Sequence, residues 1–296
     1  MRPVIYGEVL FDIFPDGTAV LGGAPFNVAW HLQGFGLEPL FVSRVGQDKL
    51  GDQILNKMDD WGMDTYAVTQ DPDAETGQVK ITLQDGQPEF DILPDVAFDH
   101  IPATGLEKLY NNQSYGTLYH GSLIYRMPKS ADSLRLLRKA APSIFVDINL
   151  RAPWWGKSQL EELIQGINWL KINDSELQEI TGKSIENDQE VEQSARDMLK
   201  QYNLEAIIIT RGAKGASLIT AENTRHVAPA KIKRLVDTVG AGDGFSSVWL
   251  TGILKGWPEE LILERAVAFA AAICQLRGAV SQDKEFYRQY RNLWNL

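Results

Sequence analysis

Short apolar runs alternate along this chain with stretches in which apolar residues return every three or four positions. That double rhythm predicts strands and amphipathic helices in turn. Residues 4–6, 40–45, 117–120, 144–148, 169–172 and 206–210 read as strands. Phe26, Ala29, His31 and Leu32 mark one helix, which follows Pro25 and stops near Gly34-Phe35-Gly36. Leu50, Ile54, Met58 and Trp61 mark a second, and Phe245, Val248, Trp249 and Ile253 a third. Strands separated by helices imply right-handed crossovers and a mainly parallel sheet with helices on both faces.

Two segments of the N-terminal third break this rhythm. Residues 11–14 and 18–21 alternate around Pro15-Asp16-Gly17, and residues 78–83 and 90–92 around Asp85-Gly86, as hairpins do. Neither fits a parallel sheet. The expectation is one α/β domain over residues 1–296, with a small antiparallel lid from about 11–21 and 77–93 projecting over a site.

Composition narrows the function. A net charge of −10 argues against nonspecific nucleic-acid binding, so any phosphate must be held locally. The lone Cys274 excludes an intramolecular disulfide and is predicted as a buried helix residue within the apolar stretch 266–276. His31, His100, His120 and His226 lack metal-ligand spacing. No signal-peptide pattern and no run of membrane length is visible, which predicts a cytoplasmic protein without a membrane partner.

The chemistry concentrates in Asp237-Thr238-Val239-Gly240-Ala241-Gly242-Asp243-Gly244-Phe245-Ser246. A run of small residues entering a helix leaves N–H groups bare at the positive end of the dipole, which suits an anion. Asp243 would repel that anion. It is either the helix N-cap or a base that takes a proton from a hydroxyl while the N–H groups hold a phosphoryl group. Gly156-Lys157-Ser158 and Gly182-Lys183-Ser184 are not Walker loops, because Arg151 and Leu177 stand where the required glycine would be.

Ligands of open parallel sheets bind beyond the carboxyl ends of the strands. Four expected ends carry suitable groups: Asn149 to Arg151, Asn173 to Glu176, Thr210-Arg211-Gly212, and the glycine turn after Val236. Asn173 and Glu176 form either a capping box or a water-mediated Mg²⁺ site. Arg151 is either a phosphate clamp or a surface cation. Asp12, Gly22, Gly23 and Asn27 offer the donors and acceptors a polyhydroxylated ligand needs, although Asp12 also suits a solvated lid and the glycines a plain turn. Asp48 reads as a helix cap.

Taken in order, these segments resemble the ribokinase-like (PfkB) carbohydrate kinases, and within them the bacterial fructokinases, over essentially the whole chain. Gly7-Glu8-Val9-Leu10-Phe11-Asp12 is similar to their opening strand, and Gly22-Gly23-Ala24-Pro25-Phe26-Asn27-Val28-Ala29 to their first signature. Val45-Gly46-Gln47-Asp48-Lys49-Leu50-Gly51, Asp147-Ile148-Asn149-Leu150-Arg151, Asn173-x-x-Glu176 and 237–244 match later segments, with Ile148 in place of a commoner proline.

The resemblance implies a three-layer α/β/α fold and ATP-dependent phosphorylation of a primary sugar hydroxyl, fructose giving fructose 6-phosphate. Ribose, 2-keto-3-deoxygluconate, a nucleoside or a sugar phosphate are the alternatives. It makes Asp243 the base, Gly240, Ala241 and Gly242 the anion hole, and Asp12, Gly22, Gly23 and Asn27 sugar contacts. Arg151 would meet the transferring phosphate, and Asn173 and Glu176 the Mg²⁺ shell. Thr210, Gly212 and Gly278 would meet the nucleotide, with adenine around Ile273 and Gly278-Ala279. Asp237 and the Val239 carbonyl would take a monovalent cation such as K⁺. Lids that pair between subunits imply a homodimer. A noncatalytic sensor would not need Asp243, and a nicotinamide oxidoreductase would need an early G-x-G-x-x-G that the chain lacks.

Overall fold

The computed structural model describes residues 1–84, 87–106, 108–109 and 114–296. The chain lays down β1 (Arg2–Tyr6), a hairpin of β2 (Leu10–Ile13) and β3 (Ala19–Gly22), then α1 (Ala24–Gly34), β4 (Leu40–Gly46) and α2 (Lys49–Trp61). Next come β5 (Val68–Asp71) and a second hairpin of β6 (Gly77–Gln84) and β7 (Gln87–Ile92). The alternating part follows: β8 (Tyr115–His120), α3 (Pro128–Ala140), β9 (Ile144–Asp147), α4 (Lys157–Ile164), β10 (Trp169–Asn173), α5 (Asp174–Thr181), α6 (Asp188–Tyr202) and β11 (Ala206–Thr210). Last are β12 (Ala216–Thr220), β13 (Thr224–Val227), α7 (Ala241–Lys255), α8 (Glu259–Ile273) and α9 (Lys284–Trp294).

The main sheet runs β13-β12-β11-β10-β9-β8-β1-β4-β5. It is parallel from β11 to β5, and β12 and β13 are added antiparallel at one edge. Successive residues of a strand point to opposite faces, so a parallel sheet buried on both sides needs apolar residues at every position. Val4 and Tyr6 enter one core with Leu134 of α3, Leu163 of α4, Leu177 of α5 and Met198 of α6. Ile5 enters the other, with Trp30 of α1, Met58 of α2, Trp249 of α7, Phe269 of α8 and Tyr287 of α9. Ala206-Ile207-Ile208-Ile209 splits between the two cores in the same way. The layers are thus helix, sheet, helix.

The four lid strands run β3-β2-β6-β7. Both hairpins are antiparallel, as their alternation predicts, and the parallel pair β2·β6 joins them. Gly17, at φ +83, closes the first turn, with Asp16 Oδ1 accepting from the Thr18 N–H at 2.9 Å. The predicted turn at Asp85-Gly86 lies outside the described residues.

Several expectations need correction. Strands β5, β12 and β13 were not foreseen; β5 has two exposed polar residues, and β13 has no buried position. No strand leads into the glycine turn: Val236 is in irregular chain, hung by its N–H from the Cys274 carbonyl at 2.9 Å. Cys274 caps α8 and is half-buried rather than lying inside a helix. Both Gly-Lys-Ser triplets are helix ends, Gly156 as the N-cap of α4 and Gly182 as the left-handed C-cap of α5. No helix of the described residues is long and apolar enough to cross a membrane.

Candidate active site

The strand ends converge on the start of α7. Gly240 is the N-cap of that helix at φ +78, a left-handed conformation that favours glycine. A Cβ there would stand 2.4 Å from Cα of Ala279, so a side chain is excluded twice over. The first turn closes when the Gly244 N–H donates to the Gly240 carbonyl at 2.8 Å. The Ala241 N–H makes a long bond to Thr238 O at 3.3 Å, while those of Gly242 and Asp243 have no partner among the described residues. Free N–H groups at a helix start are an anion site.

Asp243 occupies the third helical position, and no side chain caps this helix, so it is not the N-cap. Its Oδ2 accepts from Nδ2 of Asn27 at 2.8 Å, which ties α1 to α7. Oδ1 of Asn27 is buried without a partner among the described residues. Burial pushes the Asp243 carboxyl up to about 6; Asn27 opposes the rise, Asp147 adds to it, and Lys171 and Arg151 oppose it. A base poised just below neutrality is what proton transfer at neutral pH asks for.

Beneath the turn lies a buried charge pair that sequence reasoning missed. Nζ of Lys171, in the middle of β10, is 2.7 Å from Oδ2 of Asp147 at the end of β9. The same oxygen accepts from Oγ of Ser246 at 2.8 Å. Nζ would be only 3.3 Å from a Cβ on Gly242, so a cation sits directly under the first turn of α7. Its signal was present: one lysine inside Trp169-Leu170-Lys171-Ile172 has no reason to be buried unless it is paired.

Glu8 lies in the short irregular segment between β1 and β2. It is buried, burial pushes its carboxyl up to about 7, and its charge interacts with those of Arg151, Asp243 and Arg126. Asp12 of β2 is half-buried, with its carboxyl raised by burial and lowered by Arg151. Its Oδ2 would be 3.5 Å from a Cβ on Gly22, and a Cβ on Gly23 would be 2.7 Å from the Glu8 carbonyl. Arg151 is exposed and, among the described residues, its side chain donates only to its neighbour's carbonyl, Leu150 O, at 3.0 Å. Asp12, Gly22, Gly23, Glu8 and Arg151 therefore border one region beside Asp243.

Asn173 and Glu176 do form the capping box, each bonding the other's N–H at 2.8 Å. The second Glu176 oxygen accepts from the Leu150 N–H at 2.8 Å, linking this cap to the segment before Arg151. Burial and the charge of Asp147 raise the Glu176 carboxyl. Among the described residues no three His, Cys, Asp or Glu side chains gather as a metal-ligand set. With both carboxylate oxygens engaged, the pair fits a hydrated ion better than a directly bound one.

Asn173 pairs with Thr210 across β10 and β11, so the capping box and the predicted nucleotide segment are neighbours. Gly212 adopts φ +51 with open space around it. Asp48 caps α2, accepting from the Gly51 N–H at 2.8 Å. Asp237 accepts from the Val239 N–H at 3.0 Å and from the Gly278 N–H at 3.2 Å, fastening the turn to the loop after α8. Ile273 is fully buried and packs against Gly244.

Free N–H groups at a helix start, a half-buried raised carboxylate and a cluster of polar side chains beside the small second sheet, on a three-layer α/β/α fold, are the makings of a phosphotransferase acting on an alcohol. The profile of the pfkB family carbohydrate kinases matches residues 12–285, and the chain belongs to that family. It is 26% identical over 306 residues to fructokinase-2 of Solanum lycopersicum, covering 95% of this chain and 90% of that one. It is 30% identical over 296 residues to the aminoimidazole riboside kinase of Salmonella typhimurium, covering 94% and 90%. The crystal structure of an uncharacterized sugar kinase from Pyrococcus horikoshii superimposes with a TM-score of 0.80 at 25% identity, covering 98% of each chain. That protein has also been crystallised in complex with ATP, superimposing with a TM-score of 0.76 and 94% coverage of each chain.

Proposed function

We propose that this carbohydrate kinase transfers the γ-phosphoryl group of ATP to the primary hydroxyl of a small neutral sugar, with D-fructose at O6 the first candidate. The observation that carries the reading is Asp243: half-buried, raised to about 6, held by Asn27, and set beside two N–H groups unpartnered among the described residues. The sugar oxygen attacks the γ-phosphorus while the bond to the bridging oxygen of ADP breaks. The hydroxyl proton passes to the Asp243 carboxylate. N–H groups of the 240–243 turn, Lys171 and Arg151 lie on the side where charge develops.

Asp12, Gly22, Gly23 and Asn27 bind the sugar in this reading, and the lid closes over it to exclude water. Thr210, Gly212 and Gly278 border the nucleotide; the ATP complex of the Pyrococcus relative supports that nucleotide. Mg²⁺, held through water by Asn173 and Glu176, would neutralise charge on the ATP phosphates. A monovalent cation, K⁺, belongs beside Asp237 and the Val239 carbonyl. The lid's exposed Phe14, Val20 and Phe90 suit pairing with a second copy, hence a homodimer.

Fructose is favoured by the fructokinase relative, whereas the riboside kinase relative favours a riboside. The deciding experiment is ATP consumption over a panel of D-fructose, D-ribose, 2-keto-3-deoxygluconate, aminoimidazole riboside and fructose 6-phosphate. The reading expects the highest kcat/KM with D-fructose. A preference for any other member overturns the fructose assignment, and no turnover with any member overturns the reading.

A further inference from the structure

Two buried side chains of opposite charge beside the site each keep one atom without a partner. Among the described residues, Oε2 of Glu8 accepts nothing and Nη1 of Arg126 donates to nothing. The rest of Arg126 is committed. Its Nε and Nη2 donate to the two oxygens of Asp99 at 2.8 and 2.7 Å, and Nη2 also donates to Leu93 O at 2.7 Å. Its guanidinium lies between the rings of Phe98 and Trp154, 4.8 and 4.7 Å from their centroids. It cannot turn toward Glu8 without giving these up. The two groups feel each other's charge and yet do not touch.

A buried carboxylate oxygen with no donor is a standing cost to the fold. Glu8 is only 4% exposed, and its backbone lies under the Gly22-Gly23 turn, next to Asp243. Leu93, which Arg126 holds, directly follows strand β7, so Arg126 is fastened to the end of the second hairpin.

We propose that Glu8 and Nη1 of Arg126 form a specificity subsite for the acceptor: Glu8 accepts a hydrogen bond from one hydroxyl of a neutral sugar, and Arg126 donates to a neighbouring sugar oxygen. The inference rests on the kinase reading above. A ligand donor then satisfies Glu8, and an acceptor carrying a carboxylate or phosphate at that end meets a like charge.

Glu8→Gln keeps the shape and removes the charge. With D-fructose as the probe, the sugar KM rises roughly ten- to a hundredfold, the loss expected of one charged hydrogen bond, while the KM for ATP stays within about twofold. The variant melts no lower than the parent at pH 8, because a buried unpaired charge has gone. A merely structural Glu8 would give the reverse: a lower melting temperature with an unchanged sugar KM, and that result overturns the inference. Arg126→Lys, which keeps a cation for Asp99 but removes Nη1, gives the same rise in sugar KM; an unchanged value in both variants also overturns it. A parent enzyme that turns over no sugar brings down the kinase reading itself, and is told apart by its parent rate.

Discussion

Asp243 does not stand alone at its task. The Asn27 amide donates to it, and that bond holds the carboxyl below where burial alone would put it. A base works only when deprotonated, so kcat/KM should rise through about pH 6 and level off above it. Removing the donor raises the carboxyl further. Asn27→Ala should therefore move the acid limb of the profile to higher pH, read from kcat/KM across pH 5 to 9. A limb that stays in place, or moves lower, contradicts this role.

Lys171 supports the same region from below. Lys171→Met leaves Asp147 buried without its cation and should cost about 3–5 kcal/mol in a denaturant titration. Of these residues, Asp243 and the glycines were legible because small residues before a helix carry a recognisable physical meaning. The Asn27 bond was not, since 216 residues separate the partners and only the fold brings them together. Glu8 was hidden for a similar reason, because nothing in Gly7-Glu8-Val9 tells a buried acid from an exposed one.

At the scale of elements, the glycine turn is the part with least tolerance. Gly240 is left-handed and pressed on Ala279, whereas Gly256, at the other end of α7, is left-handed at φ +65 with open space around it. Gly240→Ala should destabilise by roughly 1–3 kcal/mol from the backbone alone, and should also lower kcat as the N–H groups shift. Gly256→Ala should lower the melting temperature less and leave kcat unchanged. Equal kcat in the two variants would show that the turn's geometry is not needed.

The element pattern itself was legible wherever burial was complete. Ile207-Ile208-Ile209 serves two cores and can be little else than a central strand. The edges were not legible: β13 has no buried residue, so no hydrophobic pattern marks it, and hydrogen bonds to β12 alone make it a strand. The two lid hairpins were visible from their alternation, but the parallel join β2·β6 depends on residues far apart in the chain.

Across the whole molecule, the site is built at the expense of stability. Glu8 and Asp243 have carboxyls raised to about 7 and about 6 in the folded chain. Between their unfolded values and these, the folded chain binds more protons than the unfolded one, so stability falls as pH rises. Their contribution is fully present below the unfolded values, near pH 4, and is lost as pH rises through about 6 for Asp243 and about 7 for Glu8. The melting temperature of Glu8→Gln should accordingly exceed that of the parent more at pH 8 than at pH 5. A difference that does not grow with pH would mean Glu8 finds a partner in the folded state.

The most direct test of the account is the turnover of Asp243→Asn with D-fructose and ATP, measured beside calorimetric binding of the sugar. Loss of the base should lower kcat by about 10²–10⁴-fold while the sugar still binds and the melting temperature does not fall. Turnover close to that of the parent would contradict the assignment of Asp243 as the base.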